Sequence, residues 1–185
     1  MGTAIDALAS TKISKALSFA KKIDGLNEAI GKLISYLILP LVFILTYEVI
    51  VRYGFDSPTL WAWDINMYLG GLMLILGGGY AHVHKAHVLV EVFLEKMSSK
   101  QRALLDLFIS PIIIFPLVVL VWFGWEAAWQ SIKMRENYSS LWEPPIYYFR
   151  LAIPVGGFLF LLQEISHFIK NLAIFLQREE KGGVK

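Results

Sequence analysis

Three histidines, His82, His84 and His87, form an H-x-H-x-x-H string, and a fourth, His167, lies far along the chain. Imidazoles in this number invite metal or haem chemistry. Haem b would need two of them on facing helices reaching one ring, so His167 with His82, His84 or His87 would make a membrane cytochrome b-type subunit. Zinc would need three or four converging ligands, each with an outer partner. Three of the four sit in one short segment, which weakens both arrangements; the plainer alternative is a set of interfacial histidines among basic residues. Glu48 and Arg52 form a second constellation: four residues apart, they share a helix face, and Asp64 follows across a short segment containing Pro58. This reads either as an ion cluster holding a hairpin or as charges that pair with another subunit. A proton relay would need a further acid deep in a span, and the apolar runs offer none. There is no cysteine, which excludes disulfides and thiol chemistry. No phosphate-binding glycine loop and no nucleophile–base pair occurs, so the chain is expected to be no enzyme and to carry no cofactor.

The elements that would position these residues are apolar. Of 185 residues, 56% are hydrophobic and only 17% charged, and the mean hydropathy is +0.56. A soluble core of this size could not hide so much apolar side chain. The apolar residues come in long runs, which points to an integral membrane protein. The net charge of +2 is too small to argue for nucleic acid. Four runs stand out, at 33–51, 65–81, 107–125 and 151–163. The first is about 28 Å of helix at 1.5 Å per residue. The expected spans are 33–51, 65–81, 104–129 and 146–169, the last needing extension because its uncharged stretch is short; a terminal Arg150 can snorkel to the headgroups.

Charge placement tests the count. Alternate segments between the spans carry thirteen Lys and Arg on one side and four on the other. The positive-inside rule then puts both termini in the cytoplasm and favours four crossings over three. All six tryptophans (61, 63, 122, 125, 129 and 142) fall near span ends on the predicted outer side, joined by Tyr147 and Tyr148 in one aromatic girdle. Residues 1–30 read as an amphipathic helix on the inner membrane surface. In it Ile13, Ala16, Leu17, Ala20 and Ile23 recur at helical spacing, with Lys12, Lys15, Lys21 and Lys22 near anionic lipid. Residues 88–97 form a shorter apolar-rich segment, Ser98 and Gln101 read as a capping box opening the third span, and 177–185 as a solvated tail. Gly70 with Gly77, and Gly71 with Gly78, are seven apart and share faces, which predicts a close-packing seam, internal or between subunits. Pro40, Pro111 and Pro116 predict bends. The spans are expected to carry almost no polarity at mid-membrane, hence no substrate site and no ion path. The whole chain is read as one all-α membrane domain.

The segment Glu48-Val-Ile-Val-Arg52-Tyr53, then Pro58, Trp61-Ala-Trp-Asp64, the glycine-rich second span and His87-Val-Leu-Val-Glu91 resembles the small membrane subunit of tripartite ATP-independent periplasmic (TRAP) transporters, the DctQ family. The run Ser139-Ser140-Leu-Trp142-Glu143-Pro144-Pro145 and the later Ile153-Pro154-Val-Gly156 resemble the outer loop and fourth helix of the same family. Asp64 stands where that family usually has Glu, and Glu91 where it usually has Asp. The resemblance implies a bacterial inner-membrane importer. A periplasmic binding protein (DctP-like) captures a small organic anion, carboxylate or sulfonate, and a large multi-span subunit (DctM-like) carries it inward by a sodium-driven elevator motion. This chain would be a stationary scaffold among membrane lipids. The resemblance implies subunit-contact or architectural roles for Arg52, Trp61, Asp64 and His87; Glu48, Gly70, Gly77, Trp142 and Pro145 complete the set of candidates. A stand-alone small transporter remains the other non-haem alternative.

Overall fold

A computed structural model of the chain describes the backbone of residues 2–84 and 99–182, so His87, the segment 88–97 and Ser98 of the expected capping box lie outside the described residues. Those described form five helices: α1 (Gly2–Ser35), α2 (Ile38–Gly54), α3 (Ala62–Val83), α4 (Ser99–Met134) and α5 (Tyr147–Gly182). Between α4 and α5 an isolated bridge pairs Asn137 with Pro145. Three stretches are long and apolar enough to cross a membrane: Ser14–Gly54, Leu104–Met134 and Tyr147–Phe175. The 22-residue α3 has the length, but five glycines, Asn66 and His82 dilute its apolar character. Both long helices outrun the expected spans, α4 beginning before 104 and ending after 129, α5 continuing beyond 169 to Gly182.

The break between α1 and α2 falls at Tyr36 and Leu37, inside the stretch expected to begin the first span. Its cause is Pro40, which has no N–H to give the Tyr36 carbonyl and whose ring crowds that carbonyl. The Tyr36 carbonyl accepts instead from the Leu39 N–H at 3.2 Å. Pro111 and Pro116 lie within an uninterrupted α4, and Pro154 within α5.

Helix α1 does not end at residue 30, and its apolar stripe is turned towards protein. Ala20 and Ile23 are buried, and with Asn27 and Gly31 they pack along α3 and α5. Lys15, Lys21 and Lys22 lie on the exposed side. Glycines permit the approach: a Cβ on Gly31 would lie 2.3 Å from Tyr80, and one on Gly79 would lie 2.3 Å from the Asn27 side-chain oxygen. Between α3 and α5 the backbones themselves come close, since a Cβ on Gly156 would meet the Ile75 carbonyl oxygen at 2.5 Å. The expected seam is therefore divided. Gly71 and Gly78 face Phe149 and Phe160 of α5, Gly70 faces Leu41 of α2, and Gly77 has nothing within 4 Å. Helices α4 and α5 form the most extensive pair, whereas α2 packs chiefly on α3, with Glu48 its one buried side chain.

Gly156→Ala should destabilise the protein by about 1–3 kcal/mol, because its methyl meets backbone that cannot rotate away. Gly77→Ala should leave the melting temperature in detergent unchanged or raised, since alanine favours helix and meets nothing. Equal melting of both variants would contradict the Gly156–Ile75 contact.

Candidate functional site

The end of the bundle where α2 turns into α3 is fastened by one carboxylate. Glu48 accepts from Arg52 Nε at 2.9 Å on one oxygen, and on the other from the Thr59 N–H at 3.2 Å and the Thr59 hydroxyl. The i,i+4 spacing puts Arg52 in reach, and the hairpin brings Thr59 back over the same oxygen pair. Residues 55–61 turn through Asp56, which has a positive φ of 50°, and Tyr47 stacks on Trp61 with ring centroids 6.0 Å apart. Glu48 is thereby buried and satisfied from two sides, while Arg52 stays nearly half exposed.

Asp64 does not join this cluster. It is 1% exposed and accepts the Ser140 hydroxyl at 2.6 Å, so it fastens α3 to the loop between α4 and α5. That loop is closed on itself by Tyr138 N–H to the Pro144 carbonyl (2.8 Å) and Ile146 N–H to the Glu136 carbonyl (3.1 Å). Arg150 holds Glu136 through two nitrogens at 2.7 Å each, a bidentate geometry that fixes orientation as well as distance. Tyr68 stacks on Phe149 and meets Tyr138 edge-on. With Asp64, Met67 and Ile146 these rings enclose a cavity of about 90 Å³. Glu48, Arg52, Trp61, Asp64, Trp142 and Pro145 thus come together at one end, with Trp63, Trp142 and Pro145 exposed; Gly70 and Gly77 lie lower on α3. The sequence reading missed Thr59 and Ser140, whose hydroxyls carry no charge and stand out only once the loops are closed.

Towards the other end, α1, α3, α4 and α5 share buried polar contacts, contrary to the expectation of nearly apolar spans. Asn27 donates to the Leu159 carbonyl at 3.3 Å and to Gln163 Oε1 at 2.9 Å. Asp24 accepts from Gln163 and Ser166, each at 2.9 Å, and from Lys170, and Ser166 is shared with the Ala20 carbonyl. His82 Nε2 of α3 lies 2.8 Å from the buried Glu164, at ion-pair distance but without the alignment of a hydrogen bond; Ser110 of α4 lies beside the same carboxylate. Asn171 donates to Asp106 of α4 at 3.2 Å and contacts His167 at 3.3 Å. A signal exists in the sequence: 163, 166 and 170, and likewise 164, 167 and 171, repeat at i, i+3, i+7, the spacing of one helix face. His82 and His167 do stand on facing helices, as the haem alternative requires. Their rings touch edge-on at 5.2 Å, which leaves no gap for a macrocycle between them. His84 instead packs on Tyr80. Among the described residues no group of three His, Cys, Asp or Glu is placed to hold a metal. The arrangement ties helices to one another.

Asp24→Ala should strip Gln163, Ser166 and Lys170 of their common acceptor and destabilise the protein by about 1–3 kcal/mol, lowering the melting temperature by roughly 2–12 °C. Unchanged melting would show that α1 is not held by this carboxylate.

Residues 41–173 match the family described as tripartite ATP-independent periplasmic transporters, DctQ component. The chain is also similar to the sialic acid TRAP transporter small permease protein SiaQ of Vibrio cholerae, with 21% identity over 143 residues, which span 76% of this chain and 79% of that one. The chain therefore belongs to the DctQ family of TRAP transporter small permease subunits, and is a transport component rather than an enzyme.

Proposed function

We propose that this chain is the stationary scaffold of a TRAP importer in a bacterial inner membrane. It crosses four times, α3 supplying the fourth crossing, with both termini in the cytoplasm and α1 at the inner surface. The loops at 55–61 and 135–146 then face the periplasm, where Trp63, Leu141 and Trp142 offer part of the surface met by a binding protein. A larger multi-span subunit carries the cargo, a small organic anion, with sodium. Sialic acid is named for the Vibrio relative; for this chain the cargo is proposed only as a class, carboxylate or sulfonate.

The observation that carries the reading is how the polar groups between the helices are spent. Asp24, Asn27, Gln163, Ser166 and Lys170 bind one another across helices, and Glu164 faces His82. A transport site keeps polar groups open to cargo or ion near mid-membrane; these are closed on each other. The outward faces of α2 and α4 are apolar, with Phe43, Phe108, Ile112 and Phe115 widely exposed, as suits contact with lipid and a large apolar partner.

Tagged chain purified from its native membrane should bring down a larger polytopic protein in stable proportion; recovery of the chain alone would contradict the scaffold reading. Arg52→Ala and Asp64→Ala should lower complex yield and transport more than they lower insertion of the chain. Parental yield and transport in both variants would mean that neither residue serves assembly.

A further inference from the structure

Helices α4 and α5 border an apolar groove of about 300 Å³, lined by Val121, Trp125, Pro154, Val155, Phe158 and Leu159. The helices close beside it because Gly157 lets them approach: a Cβ there would lie 3.3 Å from Leu120 and Val121. Trp125, Val155 and Phe158, with no such relief, stay about half exposed along the opening. The lining residues of α5 lie roughly 10–18 Å from its first residue at 1.5 Å per residue. That depth matches one leaflet of a hydrocarbon core about 30 Å thick.

The same helix continues upward as Trp125, Trp129 and Lys133, spaced i, i+4, i+8 on one side of α4. The Lys133 ammonium rests over the Trp129 ring, 5.6 Å from its centroid, and is in none of the ion pairs seen among the described residues. Arg150, the nearest cation on α5, is already bound by Glu136. Glu126, exposed on α4 and two turns deeper than Lys133, repels a phosphate and keeps it at the Lys133 level. An apolar slot at the depth of one leaflet, capped by indoles and an ammonium outside any ion pair among the described residues, has the order of chemistry of one lipid molecule. We infer that α4 and α5 form a phospholipid site, with one acyl chain in the Trp125–Phe158 groove and its phosphate on Lys133. The inference rests on α4 and α5 crossing the bilayer, which recovery of the chain in the membrane fraction reports separately.

Phe158→p-benzoylphenylalanine, irradiated in native membranes, should give an intact mass of the chain plus one phospholipid. The same probe at Phe108, on the open face of α4, should give several-fold less. Lys133→Gln should lower the lipid adduct about tenfold, the weight of one charge-assisted bond. Val155→Trp, which fills the groove, should abolish the adduct while leaving helix content by circular dichroism intact. Equal lipid labelling at positions 158 and 108 would reveal bulk lipid only, and a polypeptide adduct at 158 would make the groove a protein interface; either result overturns the inference.

Discussion

A polar side chain removed from water inside a bilayer must find its partners within protein, because hydrocarbon offers none and each unsatisfied group costs several kcal/mol. At the junction of α1 and α5 the partly exposed Asp24 gathers such partners. It collects Gln163, Ser166 and Lys170 from successive turns of α5, and Asn27, one turn on, reaches the Leu159 carbonyl and Gln163. The rest of the bundle follows from α1 being held there. Gly31 and Gly79 can let α1 sit against α3 only because α5 fixes its position from the other side. The His82–Glu164–Ser110 contacts then join α3, α5 and α4. The end with the α2–α3 hairpin uses the same device through Glu48 and Asp64, each a buried carboxylate that takes a donor from a neighbouring loop.

Much of this is legible before any coordinates. The apolar runs give the helices, the spacing of Glu48 and Arg52 gives the contact between those two side chains within α2, and Pro40 marks the region where α1 and α2 part. What escapes is set by partners distant in sequence. Asp64 looks like a third member of the Glu48 cluster because it is near in sequence, yet its donor is Ser140, 76 residues away. In residues 1–30 hydrophobic periodicity shows a stripe without saying how much of it protein covers; Ala20 and Ile23 of that stripe are buried. Gln163 and Glu164 look like the end of a span when charge alone delimits it. Only the matching polar stripe on α1 makes them interior.

The scaffold role proposed for this chain asks for a component that holds rather than moves. Polar ties between helices, such as Asn27 to Gln163 and Gln163 to Asp24, resist the sliding that an elevator or a gate requires, and they occupy donors and acceptors that would otherwise receive cargo. The family match assigns the chain to the small permease subunits. Beside that assignment stand polar groups tied across helices and wide apolar outer faces.

The central claim, that this chain offers no path for solute, is tested most directly by flux. The purified chain alone, in proteoliposomes under an inward sodium gradient, should take up no labelled carboxylate or sulfonate above protein-free vesicles, with or without a periplasmic binding protein. Sodium-dependent accumulation by the chain unaided would contradict the account.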